Sequence, residues 1–413
     1  MLYWLPRRYH RQRVQPALHI QASDAAPVTL PYRAAVTALA AVSLISLMLA
    51  LPLGAAGYIT EAFAGAALIF VYTWRHPTDW LAAAVVAAIL GAIYAMSHAA
   101  VNPWTGWEVA FPASLYGLAG LLVLLYRATG AAAEARRELV DTLRNTAVIP
   151  GLCLVSIVAV WLDIRLTPHT SDAALYAFDW NFGVQPSFFL GRLYWAQPAL
   201  RFVAGLIYSS LPVNMCLMCA LWIRRKSPSA PDVRLAFIIM GVTGFLLYQI
   251  CPAAGPLYLT GRAFPFHPPA ITQALQSVTI AGVPRNAMPS LHVASCLLIV
   301  YNSWRGSLLL RIYTLFCLLL TIFATLATGE HYLIDLIVAV PLSTAVQLAA
   351  SRRYRQAAAM MVWVLAWLIA LRTGLFLHTL PVLSWLAIAA TLLASLFGGY
   401  TWTEADRQSG AAR

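Results

Sequence analysis

Charge is what this 413-residue chain has least of: 10% of its residues are Asp, Glu, Lys or Arg, while 61% are apolar. Long apolar runs with few ionisable breaks exclude a soluble domain, because they supply no polar surface for one. They indicate an all-α, polytopic integral membrane protein, since helices or closed barrels alone satisfy the backbone in lipid. Lysine is nearly missing, with Lys226 standing beside 26 arginines. The six cysteines fall in or beside apolar runs without framework spacing, which excludes a disulfide scaffold and makes Cys216 and Cys219 packing residues. No internal repeat or low-complexity tract is visible. A net charge of +12 would suggest nucleic acid in a soluble domain, but here the basic residues follow membrane topology and imply no nucleic-acid partner.

Residues 1–33 read as a basic cytoplasmic tail rather than a cleaved signal, because the apolar run starts late and no clear small-residue cleavage site follows it. About twelve spans are expected, at 34–52, 58–74, 80–98, 109–126, 146–165, 198–223, 235–251, 289–304, 307–327, 331–350, 358–377 and 380–400. With the N-terminus inside, 21 of the 27 basic residues fall on the cytoplasmic side; Arg165, Arg192, Arg201, Arg262, Arg285 and Arg372 fall at or near the outer face. The expected division is a tail (1–33), a four-span region with a cytoplasmic linker (34–145), a six-span core (146–350) and a two-span region with its tail (351–413). Residues 134–144 read as a short charged linker helix on the inner surface.

Two stretches carry the chemistry. In Gly329-Glu330-His331-Tyr332-Leu333-Ile334-Asp335, His331 and Asp335 are four apart, so a helix would stack them and let the carboxylate fix the imidazole tautomer. A histidine held in that way is a candidate nucleophile. In Met288-Pro289-Ser290-Leu291-His292, Pro289 and Ser290 mark a helix start, where backbone N–H groups and the helix dipole favour an anion such as phosphate. Two apolar runs separate the histidines, so both end at the same, outer, membrane face.

Two outer segments are too long for plain turns. Residues 166–197 interleave aromatics with polar groups, as a lid of interfacial helices would. Residues 252–288 open on a helix-breaking Pro252-Ala253-Ala254-Gly255-Pro256-Leu257-Tyr258 and carry Arg262 and Arg285 towards His292.

Pro289-Ser290-Leu291-His292, followed after two spans by His331-Tyr332-Leu333-Ile334-Asp335, resembles the type 2 phosphatidic acid phosphatase superfamily, and within it the inositol phosphorylceramide synthase branch. The superfamily signatures are K-x6-R-P, P-S-G-H and S-R-x5-H-x3-D. This chain lacks the first, has Leu291 for the glycine, and has Ala324-Thr325 for Ser-Arg. Those departures, with the His-Tyr-x-x-Asp form and the Pro252–Tyr258 segment, are what the synthase branch resembles. The resemblance covers roughly 146–350.

It implies that His331 attacks the phosphorus of a lipid phosphodiester to give a phosphohistidine, with Asp335 orienting it. His292 would protonate the leaving oxygen and then deprotonate the acceptor hydroxyl. No metal or other cofactor is implied. The partners would be a phospholipid donor and a lipid or polyol acceptor, in a bacterial inner membrane with the site facing the periplasm or exterior. Positive charge must meet the phosphoryl oxygens; Arg285 is the first expectation, then Arg262, with Ser290 at the helix start and Arg201 and Arg192 behind. Tyr332, Asp172, Asp179 and Tyr258 are possible substrate contacts.

Each has a bland counterpart: interfacial arginines often anchor to headgroups, Asp172 and Asp179 can cap helices, and Glu330 can simply end a helix beside Gly329. Among rival functions, a lipid phosphate or polyprenyl diphosphate phosphatase would use the same residues. A proton-coupled transporter could use the histidines and Asp335 as a relay, although they cluster at one face rather than the midplane. A metal site of His292, Glu330, His331 and Asp335 is disfavoured, because adjacent side chains on a helix diverge.

Overall fold

A computed structural model describes residues 56–97, 110–225, 231–270, 278–304, 306–378 and 381–411. The expected tail 1–33, the first expected span 34–52 and Lys226 lie outside the described residues. Among those described, fifteen α-helices follow in order: α1 Ala56–Thr73, α2 Pro77–Ser97, α3 Phe111–Gly130, α4 Ala133–Leu166, α5 Asp172–Asp179, α6 Pro186–Ala196, α7 Pro198–Ser209, α8 Leu211–Arg225, α9 Val233–Ile250, α10 Pro256–Thr260, α11 Leu291–Ser303, α12 Leu308–Ala327, α13 Leu333–Ala350, α14 Tyr354–Arg372 and α15 Pro381–Ala411. Strands β1 His169–Thr170 and β2 Val278–Thr279 form one short antiparallel ladder.

Among the described residues, seven helices are long and apolar enough to cross a membrane: α2, α3, α4, α9, α12, α13 and α14. Helices α7 and α8 pass only as a pair, bent by 48°, which makes eight at most. The eleven spans expected beyond 34–52 are therefore too many. Apolar runs measure composition, whereas crossing needs unbroken helix. Pro289 and Ser290 belong to the approach and extended cap of α11, whose 13 residues reach only about 20 Å. The 198–223 run breaks at the α7–α8 bend. Residues 134–144 are no separate linker helix either; they are the opening turns of the 34-residue α4.

The packing inverts that of a soluble protein on its outside. Leu81, Val85, Ile89 and Ile93 repeat every four residues along an exposed face of α2, and Leu308, Ile312, Leu315 and Leu319 repeat every three or four on α12. Such apolar stripes suit lipid contact. Inside, α13 is the most buried span and touches α9, α11, α14 and α15, while α11 is enclosed by α8, α9, α12 and α13. Polar pairs tie these helices together. Asn302 Nδ2 donates to Gln347 Oε1 at 3.0 Å, and Tyr313 Oη donates to Asn214 Oδ1 at 2.6 Å.

One end of the bundle is covered by the β ladder, α5, a 3-10 turn at Trp180–Phe182, α6 and residues 252–270 and 278–290. Two glycines let the cover close on the turn before α13. Gly255 has φ +109° and Gly329 has φ +77°. A Cβ on Gly255 would lie 2.5 Å from the Glu330 carbonyl oxygen, while Leu257 N–H donates to the Gly329 carbonyl at 2.9 Å. These φ values suit glycine alone.

Candidate active site

The two histidine stretches meet beneath this cover. Ser290 is the extended N-cap of α11, its Oγ 3.5 Å from Val293 N–H, and His292 lies in the first turn. The other stretch departs from expectation. Helix α13 begins at Leu333 with Tyr332 as its N-cap, so His331 precedes the helix and does not stack on Asp335 within it. Asp335 Oδ2 accepts the Tyr332 backbone N–H at 2.8 Å, as the third residue of a capping box does, and lies 3.4 Å from His331 Nδ1. The shorter bond from His331 Nδ1–H goes to the Ala287 carbonyl, at 2.9 Å. That carbonyl, seconded by Asp335, fixes the tautomer and leaves Nε2 as the lone-pair nitrogen, 3.4 Å from Ser290 Oγ.

The His292 and His331 rings face each other edge to face, with centroids 6.5 Å apart. His331 is 3% exposed, and burial lowers its pKa to about 4 against the opposing effects of Glu330 and the Ala287 bond. The imidazole is therefore neutral at neutral pH, as a nucleophile must be.

Several expected substrate contacts make architectural hydrogen bonds. Asp172 is fully buried and accepts Ala254 N–H at 3.0 Å, Gly255 N–H at 2.8 Å and the Tyr332 hydroxyl at 2.8 Å. It pins the Pro252–Pro256 strap to the start of α13, and the Tyr332 hydroxyl is engaged in the same contact. Asp179 is also fully buried; its oxygens accept the N–H groups of Leu333 at 2.8 Å and Ile334 at 3.3 Å. It caps α13 from α5, 154 residues away, because Tyr332 provides no side-chain cap of its own. Burial raises both carboxyls, Asp179 to about 8.

Arg285, the first expectation for a phosphate ligand, is engaged by backbone. Only 1% exposed, its guanidinium donates to the carbonyls of Thr167 at 3.0 Å, Val283 at 2.9 Å, Pro168 at 3.4 Å and Ile280. It clamps the ends of the β ladder, four backbone carbonyls taking four of its five N–H donors. Burial lowers its pKa, opposed by Asp172 and Asp163. Arg262 lies exposed in a 3-10 turn, and Arg192 is exposed on α6. Arg201 stacks over Trp195 at 5.4 Å. Tyr258 is half-buried on α10, where burial and nearby Glu330 raise its phenol.

The sequence reading missed Tyr208 altogether. Its ring stacks on His292 at 4.3 Å, and its hydroxyl reaches both His292 and Glu330. A tyrosine within an apolar run gives no signal of this kind.

Residues 173–349 match the family model described as the PAP2 superfamily. This stretch is a PAP2 superfamily domain. The domain opens on the second residue of α5, takes in both histidines and the Asp179 cap, and ends one residue before the end of α13. No curated protein and no solved structure matches the chain. The PAP2 domain thus contains every side chain of the histidine pair and its Tyr208–Glu330 neighbours, while α1–α4, α14 and α15 fall outside it.

Proposed function

We propose that this membrane enzyme is a lipid phosphotransferase, moving a phosphorylated headgroup from a phospholipid donor to a lipid or polyol hydroxyl. The resemblance to inositol phosphorylceramide synthases suggests phosphoinositol as that headgroup. The reading rests above all on the two facing imidazoles at the head of α11 and α13, with His331 anchored through Nδ1. His331 Nε2 forms a bond to phosphorus as the P–O bond to the diacylglycerol oxygen breaks, and that oxygen takes a proton from His292. The cationic phosphohistidine keeps its Nδ1–H on the Ala287 carbonyl beside Asp335. In the second half, the acceptor hydroxyl gives its proton to His292 and attacks phosphorus, releasing His331.

The phosphoryl oxygens need donors, and Arg285 is committed elsewhere. The first turn of α11 is the better cradle. The N-terminal N–H groups of α13 are occupied by Asp179 and Asp335, whereas the Ser290 cap of α11 is long, at 3.5 Å. The distribution of basic residues supports an outer-face position for this end of the bundle. Water as acceptor would make the same site a phosphatase, and the PAP2 match favours that as the second reading.

The test is lipid mass spectrometry on the purified protein with a mixed pool of labelled phospholipids and acceptor alcohols, wild type against His331→Ala. A new phospholipid paired with released diacylglycerol, and lost in the variant, is the expected result. A released phosphorylated headgroup or free phosphate with no new lipid assigns a phosphatase. Indistinguishable lipid profiles would refute the histidine-centred reading.

A further inference from the structure

The turn between α12 and α13 carries a carboxylate that the chemistry at phosphorus does not use. Glu330 is half-buried, and its Oε2 accepts the Tyr208 hydroxyl at 2.7 Å. Among the described residues, nothing donates to its Oε1. An ionised carboxylate offers about four lone-pair sites, so most of this acceptor's capacity is open.

Backbone fixes its place. The positive-φ turn at Gly329 is bound by Leu257 N–H, and the missing side chain of Gly255 admits the Glu330 carbonyl. The same contact brings α10, with Tyr258 next to Leu257, against the turn. From α6, Tyr194 packs its ring 6.3 Å from that of Phe323, near the end of α12. Burial raises the phenols of Tyr258 and Tyr194, and the charge of Glu330 adds to both; Arg201 opposes it at Tyr194. Tyrosines from α6, α7 and α10 are thus gathered about one carboxylate. Tyr208 ties that group to the catalytic pair, since its ring stacks on His292 at 4.3 Å.

Charge decides what Glu330 can bind. A carboxylate repels phosphoryl oxygens, so it is not their ligand and needs a partner that donates. A headgroup ammonium and a headgroup hydroxyl both qualify. Arg201, near enough to act on Tyr194, disfavours a second cation there. Hydroxyls carry no charge, and they can donate to the carboxylate while accepting from phenols. In a polyol headgroup, the carbon beside the ester carries a hydroxyl only a few ångströms from phosphorus, where Glu330 stands next to His331.

We propose that Glu330, with Tyr194 and Tyr258, forms the subsite that recognises the hydroxyls of a polyol headgroup on the phospholipid donor. This rests on the phosphotransferase reading and assigns the residues that select its headgroup. The ester bond between headgroup and phosphorus is not broken in either half of that reaction; the bond to diacylglycerol breaks and the bond to the acceptor forms. Hydrogen bonds made in the donor complex therefore persist in the phosphohistidine and in the product.

The experiment uses the full-length protein and four donors with the same acyl chains: phosphatidylinositol, phosphatidylglycerol, phosphatidylethanolamine and phosphatidylpropanol, whose headgroup has no hydroxyl. Transferred and released headgroup are both counted. The readout is the ratio of kcat/KM for the better hydroxylated donor to that for phosphatidylpropanol, which cancels any general loss. Wild type should show a ratio of about 100 or more, because polar groups placed to pair with a hydroxyl reject the analogue that lacks it. Glu330→Gln should lower the ratio about 10-fold or more. Tyr194→Phe and Tyr258→Phe each lose a hydroxyl and keep the ring; each should lower it about 3- to 10-fold, and they carry the test if Glu330→Gln does not fold. A ratio unmoved in every folded variant, even with equal losses on all donors, would make the group structural and overturn the proposal. A wild type that prefers phosphatidylethanolamine or phosphatidylpropanol would overturn it too, leaving the phosphotransferase reading intact. A wild type that neither transfers nor releases the headgroup of any donor would instead sink that reading, and this proposal with it.

Discussion

Replacing Arg285 by methionine separates the two roles that a cation near His292 can have. Methionine keeps the apolar stem and removes four hydrogen bonds from a side chain that is 1% exposed. A hydrogen bond to a charged group contributes about 1.5–3 kcal/mol net. The four share one head, and their carbonyls lie in loops at the end of the bundle that water can re-enter, so they do not sum. A loss of about 3–4 kcal/mol is the working figure. Lysine at the same position should recover only part of this, because a point charge with three donors cannot span four acceptors. The assay is thermal and chemical unfolding in mild detergent, followed by donor KM at a temperature where the variant is folded. The expected result is a clearly lowered stability with KM within about 2-fold of wild type, as for a residue that binds no substrate. An unchanged melting temperature with KM raised about 10-fold or more would make Arg285 a phosphate ligand and refute the clamp.

Two other outcomes follow from the buried acids and bases. Asp179→Ala should cost about 1–2 kcal/mol by uncapping α13, whereas Asp179→Asn keeps an acceptor and should cost less. Asp179 is raised from 3.8 to about 8 on folding. Between those values the unfolded chain has released a proton that the folded one retains, so wild type should lose stability relative to Asp179→Asn as pH rises through that window; parallel curves would contradict it. His331, lowered to about 4 by burial, should keep kcat/KM free of a His331 protonation limb down to about pH 5. A limb near the ordinary histidine value that disappears on mutating His331 alone would show that the ring is solvated.

Much of the membrane architecture was legible because lipid imposes it. Apolar runs marked the long helices but not their lengths, nor the short helices α5, α6 and α10 as runs of their own, since hydropathy does not register where Ser290 caps α11 or where α7 bends into α8. The His292 and His331 stretches were legible as motifs; their local geometry was not. Spacing of four suggested a shared helix for His331 and Asp335, but the chain starts α13 two residues after His331 because Asp179 and Asp335 together satisfy its first N–H groups. Arg285 is seven residues from His292, and sequence distance says nothing about direction; its carbonyl partners at Thr167 and Pro168 come from a remote segment. Tyr208 was invisible for the same reason, as its role exists only once Glu330 and His292 are brought to it.

The covalent step at His331 is tested most directly by rapid mixing of the wild type with the labelled donor, quenching at alkaline pH, and sequencing the digested peptides by mass spectrometry. The account predicts a phosphorylated headgroup attached to the peptide at His331 during turnover, and none in His331→Ala. Turnover by the wild type with no adduct at His331, or with the label on another side chain, would contradict it.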